Sequence, residues 1–132
     1  MLRRPYFLTV ILSLIILGIH WYADTNTLYF TYKWLDIPMH LFGGLVTAFL
    51  GVCFYNLYPK KIEKNLFRTL ILLFVLTIGS FWEIFELSTS VLYHVQTMDL
   101  TNIYDTISDL INDTIGAIIA LYITHKKHWY AE

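Results

Sequence analysis

Four long apolar segments constrain the fold of this chain more than any other feature of its sequence. A helix needs roughly 20 apolar residues to cross a bilayer, and every backbone polar group must be satisfied there. The chain has 132 residues, of which 14% are charged, against about 25% in a soluble domain. The sequence therefore predicts an all-α polytopic membrane protein, a single four-transmembrane-helix bundle over residues 1–132. The expected helices cover about residues 6–23, 38–58, 66–93 and 107–124.

The first apolar segment also fits a cleavable signal peptide, because Arg3 and Arg4 precede it. Its apolar run is long for a signal peptide, however, and no clear small-x-small cleavage site follows. We therefore expect this segment to remain as the first transmembrane helix.

Basic and acidic residues are sorted to opposite ends of the expected helices. Acidic residues concentrate in or beside the connections at about 24–37 and 95–104, the first of which we expect to hold a short interfacial helix or turn. The positive-inside rule places the basic regions in the cytoplasm, and with them both termini and the loop at 59–64. Eight of the nine basic residues support this placement: Arg3, Arg4, Lys60, Lys61, Lys64, Arg68, Lys126 and Lys127.

Several other features indicate packing or topology rather than chemistry. The single Cys53 excludes an intrachain disulfide and a cysteine-based metal site. Gly44, Ala48 and Gly51 form a small-residue stripe that permits close helix packing, either within one chain or in a homo-oligomer. The basic regions indicate topology and contact with anionic membrane lipids, and nothing in the sequence supports nucleic-acid binding.

The ionisable residues of the last three expected helices all fall at the same end of the bundle. Helical spacings of three or four place each group on one face of its helix. Acids at membrane depth are costly unless paired, and they indicate a functional site. We expect seven residues to meet near the outer leaflet: Asp36 and His40 on the second helix, Glu83 and Glu86 on the third, and Asp105, Asp109 and Asp113 on the fourth.

Some of these residues also have structural interpretations. Asp36 and Asp105 are credible helix caps, and His40 taken alone fits a hydrogen-bonded interior histidine. The pairs Glu83/Glu86 and Asp109/Asp113 lie inside apolar helices, which favours a functional role. The remaining histidines are expected to be solvated, at interfaces or in the tail: His20, His94, His125 and His128.

The clustered carboxylates have no buried lysine or arginine partner on the expected helices. Such a group is protonated, binds a cation, or faces a water-filled cavity. Oxygen ligands with at most one imidazole suit Mg²⁺, Ca²⁺ or Mn²⁺, and Zn²⁺ if His40 is a ligand. If the cluster binds a cofactor, we expect a divalent cation.

Three motifs, taken in order, resemble the VanZ-like family of small bacterial membrane proteins and the related YjdF-like inner-membrane proteins. They are D-x-x-x-H-L-F-G-G at 36–44, W-E-x-x-E at 82–86 and D-T-x-x-D-x-x-x-D-x-x-G-A at 105–117. The resemblance covers 36–120 and implies a multi-pass protein of the bacterial cytoplasmic membrane. The family's namesake is linked to glycopeptide resistance, and the family generally has no assigned activity. Its matching polar residues are the seven named above, with Asp113 standing where many relatives would have Asn.

The leading hypothesis is a divalent-cation site that binds or acts on a phosphate-bearing lipid or cell-envelope precursor. Metal ligands would be His40, Glu83, Glu86, Asp109 and Asp113, supported by Asp36 and Asp105. If the protein is an enzyme, we expect a metal-dependent hydrolase or transferase on a lipid-linked substrate, with His40, Glu83 and Asp109 as catalytic residues. Two alternatives remain open: a proton- or cation-coupled transporter, and a structural accessory protein in which the acids only form hydrogen bonds.

Overall fold

The protein is built from helices. A computed structural model describes residues 3–57, 62–92 and 100–129, and the side chains of 5–57, 62–88 and 103–129. No strand occurs in these residues, and four helices are long and apolar enough to cross a membrane. The predicted fold class is therefore confirmed. The elements in chain order are α1 (Arg3–Thr25), α2 (Leu28–Thr31), a 3-10 turn (Lys33–Leu35), α3 (Asp36–Asn56), α4 (Lys64–Leu92) and α5 (Leu100–Lys127).

The beginnings of α3 and α5 differ from the sequence prediction. The 3-10 turn continues directly into α3, so the residue before that helix is Leu35, which makes no side-chain capping bond. Helix α5 starts at Leu100, which leaves Asp105 inside the helix. The capping interpretation of Asp36 and Asp105 is therefore wrong. Pro38 is compatible with the earlier start because first-turn N–H groups have no intrahelical acceptor.

The connection between α1 and α3 matches its prediction, since it holds α2 and the 3-10 turn. Some sequence predictions fall on residues outside the described ranges. They concern the helix ends at Tyr58 and Tyr93, the basic residues Lys60 and Lys61, and His94 and Asp99 of the acidic connection.

Helix α3 lies at the centre of the bundle. It packs against α1, α4 and most extensively α5. The buried core lies toward the end of the bundle where α3 ends, and large apolar side chains such as Phe7, Leu14 and Phe81 point outward. An apolar exterior is what a bilayer requires of a spanning helix. The core consists of Ala48, Phe49, Val52, Phe67, Ile71, Val75, Ala117 and Ala120.

Glycines let α3 and α5 approach until their backbones touch. A Cβ atom on Gly44 would collide with the backbone of Asp113, and one on Gly116 would collide with the carbonyl of Leu41. The small-residue stripe predicted on this helix therefore serves packing within the chain. Gly51, one turn beyond Ala48, faces α4 instead.

The four long helices alternate in direction and give the bundle two distinct ends. At one end, Asn56 Nδ2 donates a hydrogen bond to the Trp129 carbonyl at 2.7 Å, and the Trp129 ring packs on Phe49. At the other end α1 finishes, α2 follows, and α3 begins. We call it the α2 end, and it carries the predicted acidic residues.

Candidate functional site

His40 occupies the centre of a cluster of carboxylates at the α2 end. Its side chain is 6% exposed. Nε2 lies 3.7 Å from Asp36 Oδ1, 3.6 Å from Glu83 Oε1 and 4.0 Å from Asp109 Oδ2. Nδ1 lies 3.5 Å from Asp113 Oδ2. Four carboxylates from three helices therefore surround one imidazole.

Helical spacing explains how each side chain reaches this point. Asp36 and His40 are one turn apart on α3, and Asp109 and Asp113 are one turn apart on α5. Because α5 packs tightly on α3, its two aspartates face opposite nitrogens of the same ring. Glu83 approaches from α4.

Two of the seven predicted residues lie at the edge of this arrangement. Ligand atoms of Glu86, His40 and Glu83 come within 4.8 Å of one another, so Glu86 belongs to the cluster. Asp105 is exposed on α5, one turn before Asp109. The structure thus brings six of the seven predicted residues together, five of them around His40, and leaves the seventh facing outward.

The two oxygens of Glu83 have different surroundings. Oε2 accepts a hydrogen bond from Thr106 Oγ1 at 2.8 Å. Oε1 is buried and has no hydrogen-bond partner among the described residues, and the side chain is only 10% exposed. A buried polar group left without a partner costs about 1–3 kcal/mol, and more when it is charged. This oxygen, 3.6 Å from His40 Nε2, is the least satisfied atom of the cluster.

Charge within the cluster is unbalanced. The described ion pairs of Asp36, Glu83, Asp109 and Asp113 all involve His40. Four ionised carboxylates around a single imidazolium would leave an excess of three negative charges. Such an excess in a low-dielectric region is unfavourable without protons or a cation.

The spacing of the polar atoms resembles that of ligands around an ion more than that of direct hydrogen bonds. Hydrogen bonds between N and O atoms span about 2.7–3.2 Å, whereas the Nε2 contacts of His40 are 3.6–4.0 Å long. Two tetrahedral ligands at about 2.1 Å from an ion lie roughly 3.4 Å apart. Two sets of residues offer atoms close enough to share an ion: Asp36, His40 and Asp109, and His40, Glu83 and Glu86.

Gly79 makes room for the Asp113 carboxylate, and Gly43 lies beside the same group. A Cβ atom on Gly79 would lie 2.5 Å from Asp113 Oδ2, and one on Gly43 would lie 3.7 Å from Oδ1. Gly79 therefore leaves space that any larger residue would fill. Sequence reasoning missed Gly79, although a glycine inside an apolar helix, four residues before Glu83 on the same face, is a usable signal.

A cavity of about 300 Å³ adjoins the cluster. It lies between α1, α3 and α4. His40, Asp36, Glu86 and Asp113 line its polar end, and the rest of its wall is mostly apolar. Ligand pockets commonly combine a largely apolar wall with a few convergent polar groups.

His20 and Tyr29 complete the polar end of the cavity. His20 is half-buried rather than solvated as expected, with Nδ1 2.9 Å from the Tyr29 hydroxyl and its ring edge-on to Trp82. Burial, together with the carboxylates of Asp36 and Glu86, raises the pKa of Tyr29 to about 12. The Tyr29 hydroxyl therefore stays protonated at neutral pH and keeps its capacity to donate.

Comparison with known proteins places the chain in a family without adding a function. No curated protein and no solved structure shows a significant match to it. The family model described as "Predicted membrane protein (DUF2238)" matches residues 4–129, nearly the whole chain, which agrees with the four spanning helices. The protein therefore belongs to the DUF2238 family of membrane proteins.

Proposed function

We propose that the protein holds a divalent cation at the α2 end and uses it to bind a phosphate-bearing lipid or cell-envelope precursor. One observation carries the proposal. Glu83 Oε1 is buried without a hydrogen-bond partner among the described residues, and it faces His40 Nε2. A cation between these atoms would satisfy the oxygen and reduce the excess negative charge.

The geometry favours a ligand set that differs from the sequence expectation. Nε2 of His40 faces Asp36, Glu83 and Asp109, and these residues are the proposed ligands. The atoms close enough to share one ion with His40 fall in two sets, Asp36 with Asp109 and Glu83 with Glu86. Asp113 faces Nδ1 and is a positioning residue. A carboxylate on the second ring nitrogen is the usual device that fixes the tautomer and orientation of a ligating histidine.

An imidazole among the ligands affects which ion is preferred. Carboxylates alone suit Mg²⁺ and Ca²⁺, whereas mixed nitrogen and oxygen sites suit Mn²⁺ and Zn²⁺. We therefore expect Mn²⁺ or Zn²⁺ to bind more tightly than Mg²⁺ or Ca²⁺.

A phosphate group is the proposed ligand because a cation can join it to an otherwise repulsive acidic pocket. The same ion could activate water, which would make the protein a metal-dependent hydrolase or transferase with His40, Glu83 and Asp109 at the reacting group. The charge pattern of the sequence supports placing the α2 end at the outer leaflet. The VanZ-like motifs support a location in the bacterial cytoplasmic membrane.

The test is Mn²⁺ binding to purified protein, measured by electron paramagnetic resonance and elemental analysis. We expect one ion per wild-type chain. Glu83→Gln and Asp109→Asn should each weaken binding at least tenfold, because a neutral amide ligates a divalent cation poorly. Asp24→Asn is the matched control, since Asp24 is an exposed acid at the same end of the bundle.

The amide variants also separate a cation site from a purely structural network. Gln at position 83 can still accept the hydrogen bond from Thr106, so a structural role predicts an unchanged melting temperature and no ion in any variant. A wild-type protein without a bound ion, or equal Mn²⁺ affinity in wild type and both variants, would contradict the proposal.

A further inference from the structure

The cavity beside His40 continues away from the acidic cluster as an apolar groove. We define the apolar groove by Leu17 of α1, Thr47 and Leu50 of α3, and Val75 and Ile78 of α4. Leu50 lies ten residues beyond His40, which corresponds to about 15 Å along a helix. The groove therefore runs from the polar cluster toward the middle of the membrane-spanning region.

Helix α3 forms the floor of the groove, and α1 and α4 form its two walls, which do not close over it. Helices α1 and α4 each pack against α3, but they share little backbone contact with one another within the described residues. Leu17, Leu50 and Ile78 line the groove and are also exposed. Because these residues belong to spanning helices, the open side of the groove faces the hydrocarbon of the bilayer.

At the α2 end the two walls meet. The His20 ring of α1 packs edge-on to Trp82 of α4 with a centroid distance of 5.1 Å, and Tyr29 is hydrogen-bonded to the same histidine. The contact spans the gap between α1 and α4 at the polar end of the cavity. A ligand can therefore enter the groove from the bilayer, between α1 and α4, at a level farther from the α2 end than this contact.

We propose that the apolar groove binds a single hydrocarbon chain of a membrane lipid whose phosphate group lies at the His40 cluster. This inference rests on the proposed cation site and names the class of its ligand. It follows from the position of one continuous cavity with a polar end at His40 and an apolar end at Leu50, which opens between α1 and α4 beyond the His20–Trp82 contact.

The cavity has a volume of about 300 Å³ and is long enough for one chain. A chain of about twelve carbons spans the estimated length of 15 Å, given single bonds of about 1.5 Å.

The groove supplies fit rather than hydrophobic driving force. A chain that moves from the bilayer into the groove exchanges one apolar environment for another, because lipid tails are as apolar as leucine. Specific affinity must therefore come from the phosphate and the cation at the polar end. The critical test is steric: blocking the groove should prevent lipid binding and leave the ion in place.

The experiment uses the full chain in nanodiscs of digalactosyldiacylglycerol, a bilayer lipid without phosphate, and measures melting temperature with and without Mn²⁺. The probes are dodecyl phosphate, inorganic phosphate and dodecyltrimethylammonium. Thr47→Trp places a large ring in the groove. Thr77→Trp is the matched control, because Thr77 is exposed on α4 and outside the cavity lining.

We expect dodecyl phosphate with Mn²⁺ to raise the wild-type melting temperature by several degrees and inorganic phosphate to raise it less. Thr47→Trp should lose this shift while binding Mn²⁺ as wild type does, and Thr77→Trp should retain both. The proposal is overturned if Thr47→Trp keeps the shift, if inorganic phosphate matches dodecyl phosphate, or if the ammonium probe is the stronger stabiliser.

Mn²⁺ binding measured without any probe distinguishes failure of the groove proposal from failure of the cation-site proposal. If wild type binds no Mn²⁺ but dodecyl phosphate stabilises it and Thr47→Trp abolishes the shift, the groove is supported and the cation site is wrong. If Mn²⁺ binds and no probe stabilises the protein, the groove assignment is wrong.

Discussion

Gly79 and Asp113 lie together on the Nδ1 side of the His40 imidazole. Asp113 Oδ2 lies 3.5 Å from Nδ1, in space that exists because Gly79 has no side chain. The carboxylate is also nearly fully buried, so it has few alternative positions. Gly79 therefore acts on the site through Asp113, without contributing a polar atom of its own.

Gly79→Ala should weaken Mn²⁺ binding by about tenfold, in the range found when partners of ligating histidines are removed. The added Cβ would lie 2.5 Å from Asp113 Oδ2 and push the carboxylate away from His40. Gly43→Ala is the control, because its Cβ would make an ordinary 3.7 Å contact with the same carboxylate. Titration of both variants with Mn²⁺ checks this prediction, and equal affinities would contradict it.

The sequence indicated which acids share a helix face but not how their side chains are oriented. Spacings of three and four placed His40 and its neighbours on single helix faces, and six of the seven predicted residues meet. Spacing within one helix does not fix the rotation of that helix against the others. For this reason the prediction missed that Asp113 faces Nδ1 and that Asp105 faces outward.

The contact between α3 and α5 is the tightest helix pair in the bundle. Gly44 and Gly116 bring the two backbones together at the level of the acidic cluster. Without a hydrophobic driving force between helices in a bilayer, such close van der Waals contact is a main source of association. This pair therefore positions His40, Asp109 and Asp113 relative to one another.

Gly44→Ala and Gly116→Ala should each destabilise the protein by about 1–3 kcal/mol, the usual range for overpacking. Each new Cβ would collide with backbone atoms, which cannot move aside as a side chain can. Gly18→Ala should be neutral or slightly stabilising, because no atom lies within 4 Å of its added Cβ and alanine favours the helix. Melting temperatures in one detergent give the comparison, and a loss in Gly18→Ala equal to the other two would contradict it.

The length of the apolar segments predicted the four spanning helices but not where α5 begins. Residues 100–104 include both polar and apolar side chains, a pattern that predicts part of a connection. They nevertheless form the first turns of α5. The sequence showed the small-residue stripe on α3. It did not show that Gly116 of α5 packs against α3, because spacing within one helix does not identify the neighbouring helix.

The whole molecule has an outer face made of apolar side chains and a polar cluster at one end. The positive-inside rule predicts that this end faces away from the cytoplasm. The order of the four segments along the chain fixes which ends lie together. The sequence does not indicate that α1 and α4 stay apart, because segment length and charge do not determine lateral neighbours.

Cysteine labelling in intact cells tests the predicted orientation. In a Cys53→Ala background, Asn26→Cys lies in the exposed turn at the α2 end, and Glu63→Cys lies exposed before α4. A membrane-impermeant maleimide should label the first variant in intact cells and the second only after permeabilisation. The reverse pattern would place the α2 end in the cytoplasm.

The gap between α1 and α4 also affects how binding to this protein must be measured. A molecule that enters through the gap comes from the bilayer, where apolar compounds are more concentrated than in water. Occupancy of the cavity then follows the mole fraction of that molecule in the bilayer rather than its concentration in the aqueous phase. Dilution with buffer would leave occupancy nearly unchanged, whereas dilution with additional lipid would lower it.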